Sequence, residues 1–185
     1  MSKVIQCQTL DGRPIAFVDE VIGSGAMKDV YFSPDKSYVV CFFSKEKNHF
    51  YQSQAELERQ KDRLKEIVGN KWQGIFNGAG GDYWKNVFCW PDGLVEYNGL
   101  LGITAPTYQK PFFFEFGSKN NDFLGIKGKE KEGKWFASAN NQNRFLDERE
   151  KGTWLNYFKI CILIARAVRR MHAAGLAHSD LSYKN

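Results

Sequence analysis

The stretch His178-Ser179-Asp180-Leu181-Ser182-Tyr183-Lys184-Asn185 reads H-x-D-L-x-x-x-N. Asp180 and Asn185 stand five residues apart, a carboxylate that can take a proton and an amide oxygen that can hold a cation. Three polar positions and a leucine recur by chance, so the context decides. Upstream, Leu155, Phe158, Ile162, Ala165, Val168 and Met171 recur with helical spacing. The pattern predicts a helix over 154–174 that Gly175 ends in the left-handed conformation. A short apolar strand at Leu176 and Ala177 is then expected to lead into His178.

Composition narrows the class. An apolar share of 43% with 15% aromatic residues is that of a folded chain, and 185 residues can bury a core. The net charge of +5 is mild. Basic residues alternate with acids, as in Lys127-Gly128-Lys129-Glu130-Lys131-Glu132, with no interleaved aromatics. Nucleic acid is therefore not indicated as a partner. The four cysteines, Cys7, Cys41, Cys89 and Cys161, form no C-x-x-C pair, which speaks against zinc and against a disulfide framework. The first residues carry no apolar signal core, and Arg166, Arg169 and Arg170 interrupt the most apolar helix. No membrane association and a cytoplasmic location are expected.

Along the chain, strands are expected at Val4–Gln8, Ile15–Val21, Val30–Ser33 and Tyr38–Phe43, with Asp11-Gly12 and Pro34-Asp35-Lys36-Ser37 as turns. A charged amphipathic helix follows over Phe50–Val68, with Leu57, Leu64, Ile67 and Val68 on one stripe. Residues 71–83, with four glycines, read as a loop. Asn86–Trp90 and Leu94–Tyr97 read as strands joined at Pro91-Asp92-Gly93, and Gly102–Ala105 extends the sheet. One short helix and long loops are expected over 106–152. The fold class is α+β, an antiparallel sheet with a segregated helix followed by a helical part. The division expected is 1–108 and 109–185.

Between two of these strands lies Gly23-Ser24-Gly25-Ala26-Met27-Lys28-Asp29-Val30, which reads G-x-G-x-x-x-x-V. Glycines in such a turn let backbone amides approach phosphate oxygens. Lys28 stands where a third glycine is usual. Lys45 lies 15 residues past Val30 and, by alternation, shares a face with Phe43.

Together the glycine loop, Lys45 and His178–Asn185 resemble the protein-kinase superfamily across nearly the whole chain. The phrases Phe88-Cys89-Trp90-Pro91-Asp92-Gly93-Leu94-Val95-Glu96 and Ala174–Asn185 resemble more narrowly a group of bacterial kinase-domain proteins, often fused to helix-hairpin-helix modules. The resemblance implies a kinase-like small lobe and the start of a large lobe that breaks off after the catalytic loop. It implies ATP and Mg²⁺ as cofactors and phosphoryl transfer to a protein Ser or Thr hydroxyl. Asp180 would be the catalytic base and Asn185 a metal ligand. Gly23, Gly25, Val30, Thr104 and Ala105 would border the ATP, whose base is read by backbone groups. Lys45 would hold the phosphates; a rival alignment puts Phe42 at that position, and Lys47 is a further candidate. Of Glu56, Glu58 and Glu66, Glu58 is taken as the partner of the lysine.

Departures from the pattern bear on function. Ser179 replaces the Arg of H-R-D, so control through a phosphorylated activation loop is not expected, and loops of the H-G-D-L type occur in small-molecule kinases of this fold. Ser182 stands where a phosphate-contacting Lys is usual. An Asp-Phe-Gly motif, which would bring the other metal ligand, does not occur among the 185 residues, so the isolated chain is expected to be an inactive fragment. A nucleotide-binding module without turnover and a small-molecule phosphotransferase are the competing expectations.

Overall fold

A computed structural model describes residues 2–182. Tyr183, Lys184 and Asn185 lie outside the described residues. The fold is α+β, with antiparallel sheets and several helices, and it divides into compact units Met1–Thr107 and Tyr108–Asn185.

The first unit opens with a hairpin of β1 (Val4–Gln8) and β2 (Pro14–Val18) that turns through Gly12 at φ +87°. A five-stranded sheet follows, built from β3 (Val21–Ser24), β4 (Lys28–Phe32), β5 (Tyr38–Phe43), β6 (Gly93–Tyr97) and β7 (Leu100–Pro106). Its spatial order is β3-β4-β5-β7-β6, with antiparallel neighbours throughout. The segment expected as one strand over Ile15–Val21 is therefore split. Asp19 and Glu20 turn the chain so that β3 joins a different sheet from β2.

Strand alternation gives the central sheet two apolar faces. Val40, Phe42 and Val95 pack on Ile5, Ile15 and Phe17 of the β1–β2 hairpin. Phe17 meets Tyr31, Phe42 and Tyr97 edge-to-face, so its truncation to alanine would cost about 3–5 kcal/mol. Cys41, Phe43, Leu94, Leu101 and Ile103 form the other face and pack on Leu64 of α1 (Gln54–Glu66). Ser53 caps α1 by accepting from the Glu56 amide, with Glu56 in the first turn and Arg63 and Lys65 in the last.

The helix expected over 50–68 is longer and interrupted. A 3₁₀ turn (His49–Gln52) precedes α1, a π-helical turn (Ile67–Lys71) follows it, and α2 (Trp72–Phe76) and α3 (Gly81–Lys85) occupy the expected loop. Nor do residues 86–90 form a strand. Phe88 and Trp90 instead pack on Phe76, and Trp90 donates its indole N–H to the Ile67 carbonyl at 3.1 Å. Aromatic side chains that favour a strand are satisfied here by an aromatic cluster on α2 and α3.

The second unit holds a single turn, α4 (Lys119–Asp122), with Asn120 and Asn121 in the left-handed region, then α5 (Lys134–Ala137), α6 (Ala139–Phe145) and the long α7 (Trp154–Ala173). This is more helix than the one short element expected before residue 152. Thr153 and Asn156 close a reciprocal cap at the start of α7. Gly175, at φ +74°, ends it as expected: its amide donates to His172 and the Leu176 amide to Met171, a Schellman pair. Among the described residues no helix is long and apolar enough to cross a membrane.

Candidate functional site

The glycine motif is the hairpin between β3 and β4. Gly23 faces Val30 and Ser24 faces Asp29 across the ladder, and the Gly25 amide donates to the Lys28 carbonyl at 2.9 Å. Neither glycine has a left-handed φ. A Cβ built on Gly23 meets nothing within 4 Å, and one on Gly25 meets only the Lys28 carbonyl at 3.8 Å. Gly23 follows a register shift after Val21, a bulge that suits glycine, but a Cβ would be accommodated at both positions.

The tip of the hairpin is held from behind by the segment after β5. Asn48 donates through Nδ2 to the Met27 carbonyl (2.8 Å) and the Ser44 carbonyl (2.7 Å), and the Ser44 amide donates to the Met27 carbonyl. Lys47 Nζ donates to Ser24 Oγ (2.9 Å) and the Gly25 carbonyl (3.2 Å), and lies 3.6 Å from Asp29 Oδ1.

These contacts redistribute the expected lysines. Strand β5 ends at Phe43, so Lys45 is not on it. Lys45 sits in the turn beyond the strand, with Nζ 6.0 Å from the Tyr51 ring centre and beside Gly99 of the β6–β7 turn. The reason is local: the Ser44 amide is taken by the Met27 carbonyl and the Lys47 amide by the Ser44 carbonyl, a turn that ends the alternation on which Lys45 depended. Glu58 does not pair with Lys45 either. It accepts from Lys61 at 3.2 Å and from Gln54 at 2.7 Å, and Lys61 also reaches Glu96 at 3.1 Å. Glu56 and Glu66 hold Arg59 and Lys71. Phe42, the residue of the rival alignment, faces the β1–β2 hairpin.

What the sheet does bring together, on the face that α1 covers, is Lys28, Val30, Cys41, Phe43 and Ile103. Val30 pairs with Cys41, Cys41 with Ile103, and Lys28 with Phe43, with the Lys28 Nζ 5.9 Å from the Phe43 ring centre. Burial pushes the Cys41 thiol up, and the Lys28 ammonium partly offsets the shift. Cys89 is also raised by burial, then by Cys41 beside it, against the pull of Lys28, and its Sγ donates to the Pro106 carbonyl at 3.0 Å. Ala105 is buried and pairs with Val39. Thr104, expected beside it as a nucleotide contact, is buried with its hydroxyl donating to Asp92 Oδ1 (2.6 Å) and accepting from Arg13 (3.0 Å). Its side chain is occupied in joining β7 to the β1–β2 turn.

In the second unit, Leu176 and Ala177 form no strand, and His178–Ser182 run as exposed, irregular chain. Ser179 has φ +61°, in the left-handed region that a serine rarely adopts, immediately before Asp180. Asn185, the expected metal ligand, lies outside the described residues. Among those residues no group of three or more His, Cys, Asp or Glu side chains is arranged to hold a metal ion.

Asn48 was the structural residue least visible in the sequence; Lys47, a further candidate for the phosphates, holds the hairpin tip instead. A buried Asn three positions past a lysine carries no spacing signal. Lys28 stood inside the glycine motif as a departure from it, and strand parity with Val30 was the signal that could have put it on the same face. Comparisons with protein-family models, curated proteins and solved structures found no match.

Proposed function

We propose that this chain carries the nucleotide-binding hairpin and the catalytic-loop segment of an ATP-dependent phosphotransferase of the protein-kinase superfamily, acting on Ser or Thr hydroxyls of a protein. The observation that carries the reading is the pair Gly23 and Gly25. Both sit in a tight hairpin without left-handed backbone, with open space at Gly23 and only an ordinary contact at Gly25, which leaves room for a bound group against the backbone. The surroundings agree with this. Val30, half-buried on β4, offers an apolar edge to a base in front of the buried Cys41 and Ala105, and Lys28 on the same face can take phosphate. A helix follows the third strand of the sheet, where a kinase small lobe has its own.

Asp180 is assigned the role of base. It takes the proton of the acceptor hydroxyl, an interaction made chiefly as the phosphoryl group transfers, so its loss lowers kcat more than it raises KM. Mg²⁺, when bound, would neutralise charge on the phosphates, and Asn185 is its proposed ligand on this chain. A second reading, a nucleotide-binding module without turnover, is favoured by one observation: β5 carries no lysine from Tyr38 to Phe43.

Two measurements test the proposal. Calorimetric titration of the chain with ATP should give saturable binding, and absence of binding by both ATP and adenosine would overturn it. In the protein expressed from its complete reading frame, label should pass from radiolabelled ATP to protein Ser or Thr, and Asp180→Asn should remove at least about a hundredfold of that rate. Binding without any transfer selects the second reading.

A further inference from the structure

We infer that Lys28, on the second strand of the glycine hairpin, is the cation that anchors the ATP phosphates. The inference rests on the nucleotide-binding reading above and replaces the lysine expected from the strand that follows.

Position is the first argument. The Lys28 carbonyl closes the glycine turn through the Gly25 amide, so this residue begins the strand immediately after the two open glycines. Directly across the ladder is Phe43, the last residue of β5. A lysine projecting from the end of β5 would occupy the space beside Phe43, and Lys28 Nζ lies 5.9 Å from that ring's centre. The ammonium thus reaches the same place from the neighbouring strand.

The second argument is its company. Lys28 is half-buried, and among the described residues no carboxylate lies within 4.0 Å of its Nζ. The Phe43 ring lies beside it, and its charge is felt at the thiols of Cys41 and Cys89. A partly desolvated ammonium without an anionic partner gains more from a bound phosphate than a solvated one does. The competing lysines are differently placed: Lys47 is engaged by Ser24, the Gly25 carbonyl and Asp29, and Lys45 stands over Tyr51.

Alternation supplies the third argument. Lys28 and Val30 share a face of β4, and Val30 is paired with Cys41. The cation and the half-buried apolar side chain of Val30 are therefore two residues apart on one surface, a juxtaposition that suits the phosphates and base of a nucleotide.

The test is a titration of the intact chain with ATP and with adenosine, run for wild type, Lys28→Met, Lys28→Arg, Lys45→Met and Lys47→Met. Thermal melts of each variant check folding. The expected result is a loss of at least about tenfold in ATP affinity for Lys28→Met, with adenosine affinity unchanged and partial recovery in Lys28→Arg. Lys45→Met and Lys47→Met should stay within about threefold of wild type for ATP. If wild type binds ATP and Lys28→Met binds it equally well, the inference fails while the nucleotide reading stands. If Lys28→Met unfolds, the Lys28→Arg and Lys28→Gln titrations decide, Gln being expected to lose ATP affinity and Arg to retain it. Wild type that binds neither ligand removes both.

Discussion

Asn48 donates through one amide nitrogen to the carbonyls of both Met27 and Ser44, at 2.8 and 2.7 Å, and is itself 5% exposed. The hairpin tip is thereby fixed to the chain beyond β5 by a buried side chain. Asn48→Ala should lower unfolding stability by about 1–3 kcal/mol in urea titration, since both bonds from the buried amide are lost while the two carbonyls keep one backbone donor each. Lys47→Ala, which breaks only partly exposed contacts, should cost less than about 1 kcal/mol, and less still at high salt. Equal costs for the two variants would mean that the tip is held electrostatically.

Two glycines of the same unit should respond in opposite ways. At Gly102 a Cβ would lie 2.7 Å from Phe42 Cδ1, 2.9 Å from the Cys41 carbonyl and 3.0 Å from Val95 Cγ1, all in the packed sheet. Gly102→Ala should therefore cost about 1–3 kcal/mol by overpacking. Gly23→Ala meets no atom and needs no left-handed φ, so its melting temperature should match wild type or exceed it. ATP titration of Gly23→Ala should nonetheless show weaker binding, because the methyl group stands where the phosphates would approach. Unchanged ATP affinity in this variant would leave Gly23 as an ordinary turn residue.

Much of the first unit could be read from period-two alternation and turn residues. Tyr38–Phe43 and Val4–Gln8 are strands with the expected bounds. Failures arose where tertiary packing overrode local preference. Phe88 and Trp90 belong by composition to a strand, yet they fill the space over Phe76. Counting along a strand put Lys45 on β5, but the count cannot see that Asn48 draws the chain into a turn one residue past Phe43. Glu58 failed for a related reason: its partner, Lys61, is a turn away on its own helix, and such local pairs form whenever the sequence offers them. Gly175 succeeded because a helix end is a local event.

Asp122 organises the loop at the start of the second unit. Its Oδ1 accepts from the Ser118 amide (2.9 Å), the Ser118 hydroxyl (3.1 Å) and the Ile126 amide (3.0 Å), and its Oδ2 accepts from the Lys127 amide (3.0 Å). These donors, the Ser118 amide foremost, lower its pKa from 3.8 to about 2. A depressed folded-state pKa stabilises above the unfolded value and ceases to do so as pH falls through the folded one. The advantage of wild type over Asp122→Asn should thus be constant above about pH 5, shrink below pH 4 and be lost only as pH falls through about 2. The amide resonances of Ser118, Ile126 and Lys127 should titrate together with a midpoint near 2, and a common midpoint near 4 would contradict the assignment.

Ser179 holds a left-handed φ of +61° directly before Asp180. A serine there is strained by about 1 kcal/mol relative to glycine, which enters that region freely. A β-branched residue is worse still, because its side chain crowds the carbonyl in that conformation. If the left-handed turn aims Asp180 at the acceptor hydroxyl, the two substitutions should separate in kinetics. In the protein expressed from its complete reading frame, Ser179→Gly should keep kcat within about threefold of wild type, since the required φ remains accessible. Ser179→Val should lower kcat by tenfold or more with ATP affinity unchanged, because a misplacement of about 1 Å at a catalytic carboxylate costs rate rather than binding. Circular dichroism should show both variants folded, as residues 178–182 are exposed and contribute little to the core. Wild-type kcat in Ser179→Val would show that the segment can aim Asp180 from another backbone conformation, and the strain would then have no part in the chemistry.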